Sequence, residues 1–318
     1  MAHTRQFDGS PPDQMDVSAM RQAVDARIAQ LLGDGIDPLA AAMRHGALGS
    51  GKRMRPLLTM LVARDLGCQS PDLLDVACAV ELVHASSLIL DDMPCMDNAR
   101  LRRGKPAVHV QFGEDVAILA SIALLSRAFC IVSSVQQVAP ATRTRLVCTL
   151  GETIGAQGLA RGQFQDLHGS GQRSADDITV TNELKTGVLL GVAVEMAAVV
   201  AQADDRATRS LRAFAVAAGH AFQIRDDFAD GSDSAITGKD SGKDLGKATL
   251  VNTLGPAEAR RRMAAYVQQA ERHLADALGA GGYAHAYLAQ LLAPALPVPQ
   301  AAAAVARRAA APRDVQFG

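Results

Sequence analysis

Tryptophan is absent from these 318 residues, and eight Phe and three Tyr bring the aromatic share to only 3%. Strand-rich domains draw heavily on aromatic residues, so the shortage argues against one. An excess of either charge is missing too. The 32 Lys+Arg against 33 Asp+Glu leave a net charge of -1, which removes the bulk electrostatic footprint expected of a nucleic-acid or membrane-surface binder. Five cysteines (Cys68, Cys78, Cys95, Cys130 and Cys148) form no CxxC spacing. They read as reduced thiols in a cytoplasmic protein rather than a disulfide framework or a zinc site. No run approaches eighteen uninterrupted apolar residues, and Arg5, Asp8, Asp13, Asp16 and Arg21 stand where a leader peptide needs an apolar core. Neither a secretory leader nor stable membrane insertion is expected. What is present is a chain 48% hydrophobic and 20% charged, rich in Ala, Leu and Val. That is the composition of a core-forming helical protein.

Helix-length apolar segments follow one another: Val17 to Leu32, Met54 to Leu66, Leu73 to Leu90, Val116 to Val135, Thr142 to Leu167, Ile178 to Val200, Ala207 to Ala229, Ala257 to Leu278 and Tyr283 to Leu292. Turn signals such as Gly33-Asp34-Gly35, Pro94 and Pro140 separate them, and no alternating strand pattern competes. Without an internal repeat or a linker, the pattern predicts one all-α domain over 15–293. A loose lead-in at 1–14 precedes it, and a low-complexity Ala/Arg tail at 294–318 follows. Residues 231–247, GSDSAITGKDSGKDLGK, make a loop too long for a simple connection. Such loops often carry function.

Two acidic clusters stand out. Asp91, Asp92 and Asp97 lie at the C-terminal end of an apolar helix. Carboxylates are unfavourable there unless a cation is bound, because the helix terminus already carries partial negative charge. Pro94 cannot continue the helix, and the turn it forces can swing Asp97 back toward Asp91. His84 and Ser87 precede Asp91 on its face. The second cluster is Asp226, Asp227 and Asp230, with Gln223 one turn earlier on the same helical face. Either cluster alone reads as a solvated face, but two of them, each beside an apolar segment, form the oxygen-ligand set of a hard divalent ion such as Mg²⁺.

Cationic residues alternate with these acids: Lys52, Arg53 and Arg55; Arg102 and Arg103 just after the first cluster; Lys185 beside Thr186; and Lys239, Lys243 and Lys247 in the long loop. Guanidinium forks suit phosphate oxygens. The simplest ligand that uses acids and bases together is a diphosphate bridged by Mg²⁺. Gly46 to Lys52 imitates the start of a nucleotide-binding P-loop, but Arg53 takes the place of the hydroxyl that such a loop needs, and helix-like sequence precedes it.

With these residues assembled, the chain resembles the trans-isoprenyl diphosphate synthases, the polyprenyl synthetase family. The motifs GSGKRMRP (49–56), DDMPCMDNARLRRGKP (91–106), GQFQDL (162–167), LKTG (184–187), FQIRDDFAD (222–230) and GKDSGKDLGKATLVN (238–252) occur in that family's order. The four residues between Asp92 and Asp97 are most similar to bacterial geranylgeranyl diphosphate synthases of the carotenoid-pathway type. The resemblance implies an all-α bundle of roughly a dozen helices around a deep cavity, usually a homodimer. It implies three Mg²⁺ per site, with Mn²⁺ as an alternative ion, held by Asp91, Asp92 and Asp97 on one side and Asp226, Asp227 and Asp230 on the other. Arg102, Lys185, Thr186, Gln223, Lys239 and Lys247 would bind the allylic diphosphate or stabilise its departure. Lys52, Arg55, His84 and Arg103 would hold isopentenyl diphosphate, and Arg53 receives no role.

The implied reaction condenses isopentenyl diphosphate with dimethylallyl, geranyl or farnesyl diphosphate, giving geranylgeranyl diphosphate for isoprenoid and carotenoid biosynthesis. In this family the residue five before the first Asp faces the growing tail, and a bulky aromatic there stops growth at fifteen carbons. Ser86, followed by Ser87, is small and predicts twenty. A farnesyl diphosphate synthase, a terpene cyclase and a non-catalytic synthase subunit are the alternatives. The scarcity of aromatics disfavours a cyclase, which steers carbocations with π faces.

Overall fold

Asp16 starts the first helix by accepting a hydrogen bond from the Ala19 amide at 2.9 Å, and α1 runs over Val17–Leu32. Asp37 does the same for α2 (Pro38–Ala47), accepting from the amides of Leu39 and Ala40 at 3.0 Å. Pro38 fills the first-turn position, where no amide is needed. Helices α3 (Met54–Asp65) and α4 (Leu73–Asp91) follow. A two-residue hairpin, β1 (Leu101–Arg102) with β2 (Lys105–Pro106), then leads into α5 (Val108–Phe112), α6 (Glu114–Ser134), α7 (Pro140–Ile154) and α8 (Leu159–His168). Beyond them lie α9 (Val188–Val200), α10 (Asp205–Asp230), α11 (Leu250–Leu254), α12 (Pro256–Leu278) and α13 (Tyr283–Leu292). The computed structural model describes residues 16–168, 183, 187–230 and 250–292, with 229 and 230 by backbone alone. The expected lead-in at 1–14, the whole 231–247 loop and the tail at 294–318 lie outside the described residues.

Helix α4 is buried at every residue from Val76 to Ser86, as a helix apolar on all sides must be. It packs against α6, α3, α9, α2 and α1. Thr59 ties α3 to α9, its hydroxyl donating to the Ala193 carbonyl at 2.9 Å. Helix α10 lies along α12 and α9. Near its C-terminal end a small second core of Ile224, Leu250 and Ala259 seats α11 beside the second acidic cluster.

The helical boundaries expected for α1 and α13 coincide with the observed ones. The expected single helix over Thr142 to Leu167 is instead two, α7 and α8. Gly155 and Gly158 make the break: a Cβ at Gly158 would lie 2.0 Å from the Thr153 carbonyl oxygen. The 101–106 hairpin escaped the periodicity because its strands are two residues long. By length and composition, α4 and α6 are each apolar enough to cross a bilayer, although charged residues such as Glu81 and Arg127 interrupt both. α4 is enclosed by its neighbours. α6 keeps an outward stripe of Ile118, Leu119 and Ile122, at 44%, 53% and 58% exposure.

Candidate active site

The first acidic cluster closes α4 as expected. After Pro94 the chain turns back, and the Asp97 amide donates to the Asp91 carbonyl at 2.9 Å. Asp92 behaves differently from its neighbours. Its carboxylate is buried and accepts from Arg102 Nε at 3.0 and 3.1 Å, with a further short contact to the Arg102 terminal nitrogen. Burial works against the Arg102 charge, but Asp92, Asp91 and Asp97 outweigh it and raise the arginine's pKa. Burial pushes the Asp92 carboxyl up, with Arg102 pulling it back.

The hairpin sends the two neighbouring arginines to different places. Arg103 and Gly104 are its central residues, with φ of 54° and 76°. Positive φ at both positions is the turn that matches strand twist, and it costs the arginine about 1–2 kcal/mol. Arg102 turns onto Asp92, whereas Arg103 lies against the 49–51 loop. A Cβ at Gly51 would sit 2.7 Å from an Arg103 guanidinium nitrogen, so glycine there permits the approach. The P-loop imitation is dismissed by the same stretch: Gly46 lies inside α2, and no strand precedes it among the described residues.

A cationic nest forms where α3 meets α4. Arg55 donates to His84 Nε2 at 3.1 Å. Arginine has no acceptor, so the imidazole carries its proton on Nδ1. That Nδ1 and the Arg55 Nε are both buried without a partner. Such orphaned donors are rare and call for an explanation. Burial first, then Arg55, Arg103, Arg102 and Arg53, hold the His84 pKa well below its usual range. Burial also lowers Arg55, opposed by Glu81 and Asp226, and lowers Arg103, opposed by Glu81. The nest is therefore short of negative charge. Lys52 is exposed at its rim.

On α10, Gln223 donates to Asp227 at 2.9 Å, and the other Asp227 oxygen accepts the Leu250 amide at 3.2 Å. Asp226 remains half exposed, 3.5 Å from Arg225. Its electrostatic reach to Arg55 brings the second cluster toward the nest. The Asp230 side chain, Lys185, Thr186, Lys239 and Lys247 lie outside the described residues.

Between the first acidic cluster and α8 runs a cavity of about 380 Å³, which includes Asp91, Met96, Ser86, Ser87, Leu125 and Phe164 among its lining. The size is that of a small-ligand pocket. Ser86 is buried and bonded across to Ser121 on α6, with its oxygen 2.6 Å from the Ser121 hydroxyl. Ser87 back-bonds to the His84 carbonyl at 2.9 Å.

Carboxylate oxygens are the donors that a hard divalent ion takes. Among the described residues, no three His, Cys, Asp or Glu side chains converge into a ready-made cage. Magnesium is commonly held by one or two carboxylates together with substrate phosphates, and Asp91 and Asp97 have that donor chemistry.

The polyprenyl synthetase family model matches residues 37–277. The chain belongs to the polyprenyl synthetase family. A geranylgeranyl diphosphate synthase of Pantoea ananas is 50% identical over 260 residues, 80% of this chain and 85% of its own. A farnesyl diphosphate synthase of Geobacillus stearothermophilus is 38% identical, over 87% of this chain and 96% of its own. Among solved structures, a Helicobacter pylori geranyltransferase complexed with magnesium and isoprenyl diphosphate superposes with a TM-score of 0.78 at 27% identity, covering 89% of this chain and 97% of that one. Three residues bonded to side chains of this candidate site or its neighbour Arg53 escaped sequence reasoning: Asp25 and Glu81 on Arg53, and Ser121 on Ser86. Glu81 alone left a signal, as an acid within the apolar run 76–86.

Proposed function

We infer that this polyprenyl synthetase makes geranylgeranyl diphosphate by adding isopentenyl diphosphate to allylic diphosphates. The orphaned donors on Arg55 and His84 carry the reading, because a cationic nest short of negative charge is built for an anion. Arg55, Arg103, His84 and Lys52 would hold the diphosphate of isopentenyl diphosphate. Asp91, Asp97, Asp226, Asp230 and, after rearrangement, Asp227 would hold magnesium, three ions per site. Asp92 orients Arg102 toward the allylic diphosphate, where Lys185, Thr186, Gln223, Lys239 and Lys247 are also assigned. Magnesium, when bound there, supplies Lewis-acid neutralisation of that diphosphate.

The chain's own contribution is placement and charge. Arg102 meets the negative charge that grows as the allylic C1–O bond breaks and its electron pair leaves with diphosphate. The nest holds the isopentenyl double bond near the allylic carbon, so the new C–C bond forms as if within one molecule. A proton then passes from the adduct to the released diphosphate. The tail enters the cavity past Ser86 and Ser87, whose small side chains favour twenty carbons over fifteen.

The two aromatic rings at the second acidic cluster offer little to a cyclase. Arg225 lies over the Phe222 ring at 4.6 Å and Arg260 over Phe228 at 5.1 Å, so both rings flanking the second cluster already face protein cations. The outward apolar stripe of α6 supports a homodimer, and free thiols support a cytoplasmic setting. We assign the synthase unit to 15–293. The test is turnover by the purified chain with Mg²⁺, isopentenyl diphosphate and farnesyl diphosphate. Release of diphosphate together with geranylgeranyl diphosphate supports the reading; diphosphate release with a hydrocarbon product would favour the cyclase.

A further inference from the structure

Arg53 stands between two cations of the nest, Lys52 and Arg55, yet its guanidinium is already committed to the protein. Its Nε donates to Asp25 at 2.6 Å, one terminal nitrogen to Glu81 at 2.7 Å and the other to the Gly49 carbonyl at 3.0 Å. The Arg53 side chain is 1% exposed and that of Glu81 3%. The Arg53 backbone is left-handed, with φ of 48°, and no side chain caps α3 in its place. That conformation is uncommon outside glycine and persists only where the surroundings impose it. Here the three acceptors impose it. The guanidinium turns into the core while the preceding Lys52 is exposed.

Glu81 lies three residues before His84 on α4, hence on the same face one turn away. His84 is the residue that Arg55 reaches from α3. The Arg53–Glu81 contact therefore joins the first turn of α3 to the turn of α4 that carries His84, and Asp25 holds the same guanidinium from α1.

We propose that the buried Arg53–Glu81 pair, steadied by Asp25, is the positioning element of the isopentenyl diphosphate nest. It fixes the turn that aims Lys52, Arg55 and His84 at one diphosphate. Arg53 touches no substrate and acts through Lys52 and Arg55. The inference rests on the assignment of the nest to isopentenyl diphosphate made above.

One substitution separates charge from position. If Glu81 acts only as a negative charge under an anion site, Glu81→Gln should lower the KM for isopentenyl diphosphate. If it anchors the turn, the KM should rise. We expect a rise of about ten- to a hundredfold in Glu81→Gln and in Arg53→Lys, the scale that follows small misplacements. The KM for farnesyl diphosphate should stay within about twofold, since the allylic diphosphate is assigned to residues outside the nest.

Breaking one side of a buried pair also destabilises the fold, whereas replacing both sides with apolar groups is often neutral. Arg53→Met/Glu81→Leu therefore serves as the control, with a Tm near the parent's and a KM for isopentenyl diphosphate that stays raised. Recovery of that KM together with the Tm would reduce the pair to packing and overturn the proposal. So would a lowered KM in Glu81→Gln, or a rise confined to farnesyl diphosphate. If the double variant does not fold, the two KM values of Glu81→Gln decide alone. A parent chain that condenses nothing refutes the proposed function; a parent that condenses, with variants of unaltered KM, refutes only the positioning.

Discussion

Arg55 and His84 meet 3.1 Å apart and settle each other's hydrogen bonding: the guanidinium can only donate, so the ring accepts at Nε2 and offers a buried N–H at Nδ1. Removing that donor in His84→Ala should raise the KM for isopentenyl diphosphate by about tenfold or more, with little effect on the KM for the allylic partner. Steady-state kinetics with each substrate varied in turn would check it.

The same pair sets a pH dependence. Burial and four arginines hold His84 well below its usual pKa in the fold, whereas in the unfolded chain it takes up a proton near about 6.5. The unfolded state therefore binds more protons below that value, so stability is present above about pH 6.5 and falls as the pH drops past it. The Tm of the parent should decline more steeply than that of His84→Phe between pH 7.5 and 5, as thermal melts across that range would reveal.

Asp91 and Asp226 belong to opposite acidic clusters, and each should be indispensable. Asp91→Ala and Asp226→Ala should each lose about a thousandfold or more in turnover, the scale of a lost electrostatic stabiliser. Their helical circular dichroism should match the parent's. Chelation should abolish parental activity, and added Mg²⁺ should restore it.

Ser86 faces both the cavity and Ser121. A tyrosine at that point fills the path of the tail, so Ser86→Tyr should move the product from twenty carbons to fifteen. Phe164, at the α8 end of the lining, should act in the opposite sense: Phe164→Ala lengthens the room and should yield some product beyond twenty. Chromatography of dephosphorylated products would read both.

Helix α6 exposes Ile118, Leu119 and Ile122 side by side. A charge in that stripe should split a homodimer, so Leu119→Glu should halve the mass seen by light scattering while helicity is kept. An unchanged mass would place the interface elsewhere.

Much of this was legible from local pattern. The apolar segment Val17 to Leu32 and the turn signal at Gly33 gave α1 its observed bounds, and the carboxylates at 91, 97 and 226 announced themselves by charge in apolar surroundings. What was not legible depends on long-range pairing. Arg53 meets Glu81 across 28 residues of chain, and Ser86 meets Ser121 across 35; no periodicity encodes either. The adjacent Arg102 and Arg103 look alike as a dipeptide, and only the turn between β1 and β2 sends one to Asp92 and the other to Gly51. Asp92 read as one acid of three until burial gave it to Arg102.

The most direct test is the product distribution from the purified chain supplied with Mg²⁺, dimethylallyl diphosphate and excess isopentenyl diphosphate. Accumulation of geranylgeranyl diphosphate, with farnesyl diphosphate passing through as an intermediate, is the predicted result. A product that stops at fifteen carbons, a cyclised hydrocarbon, or no condensation at all would contradict it.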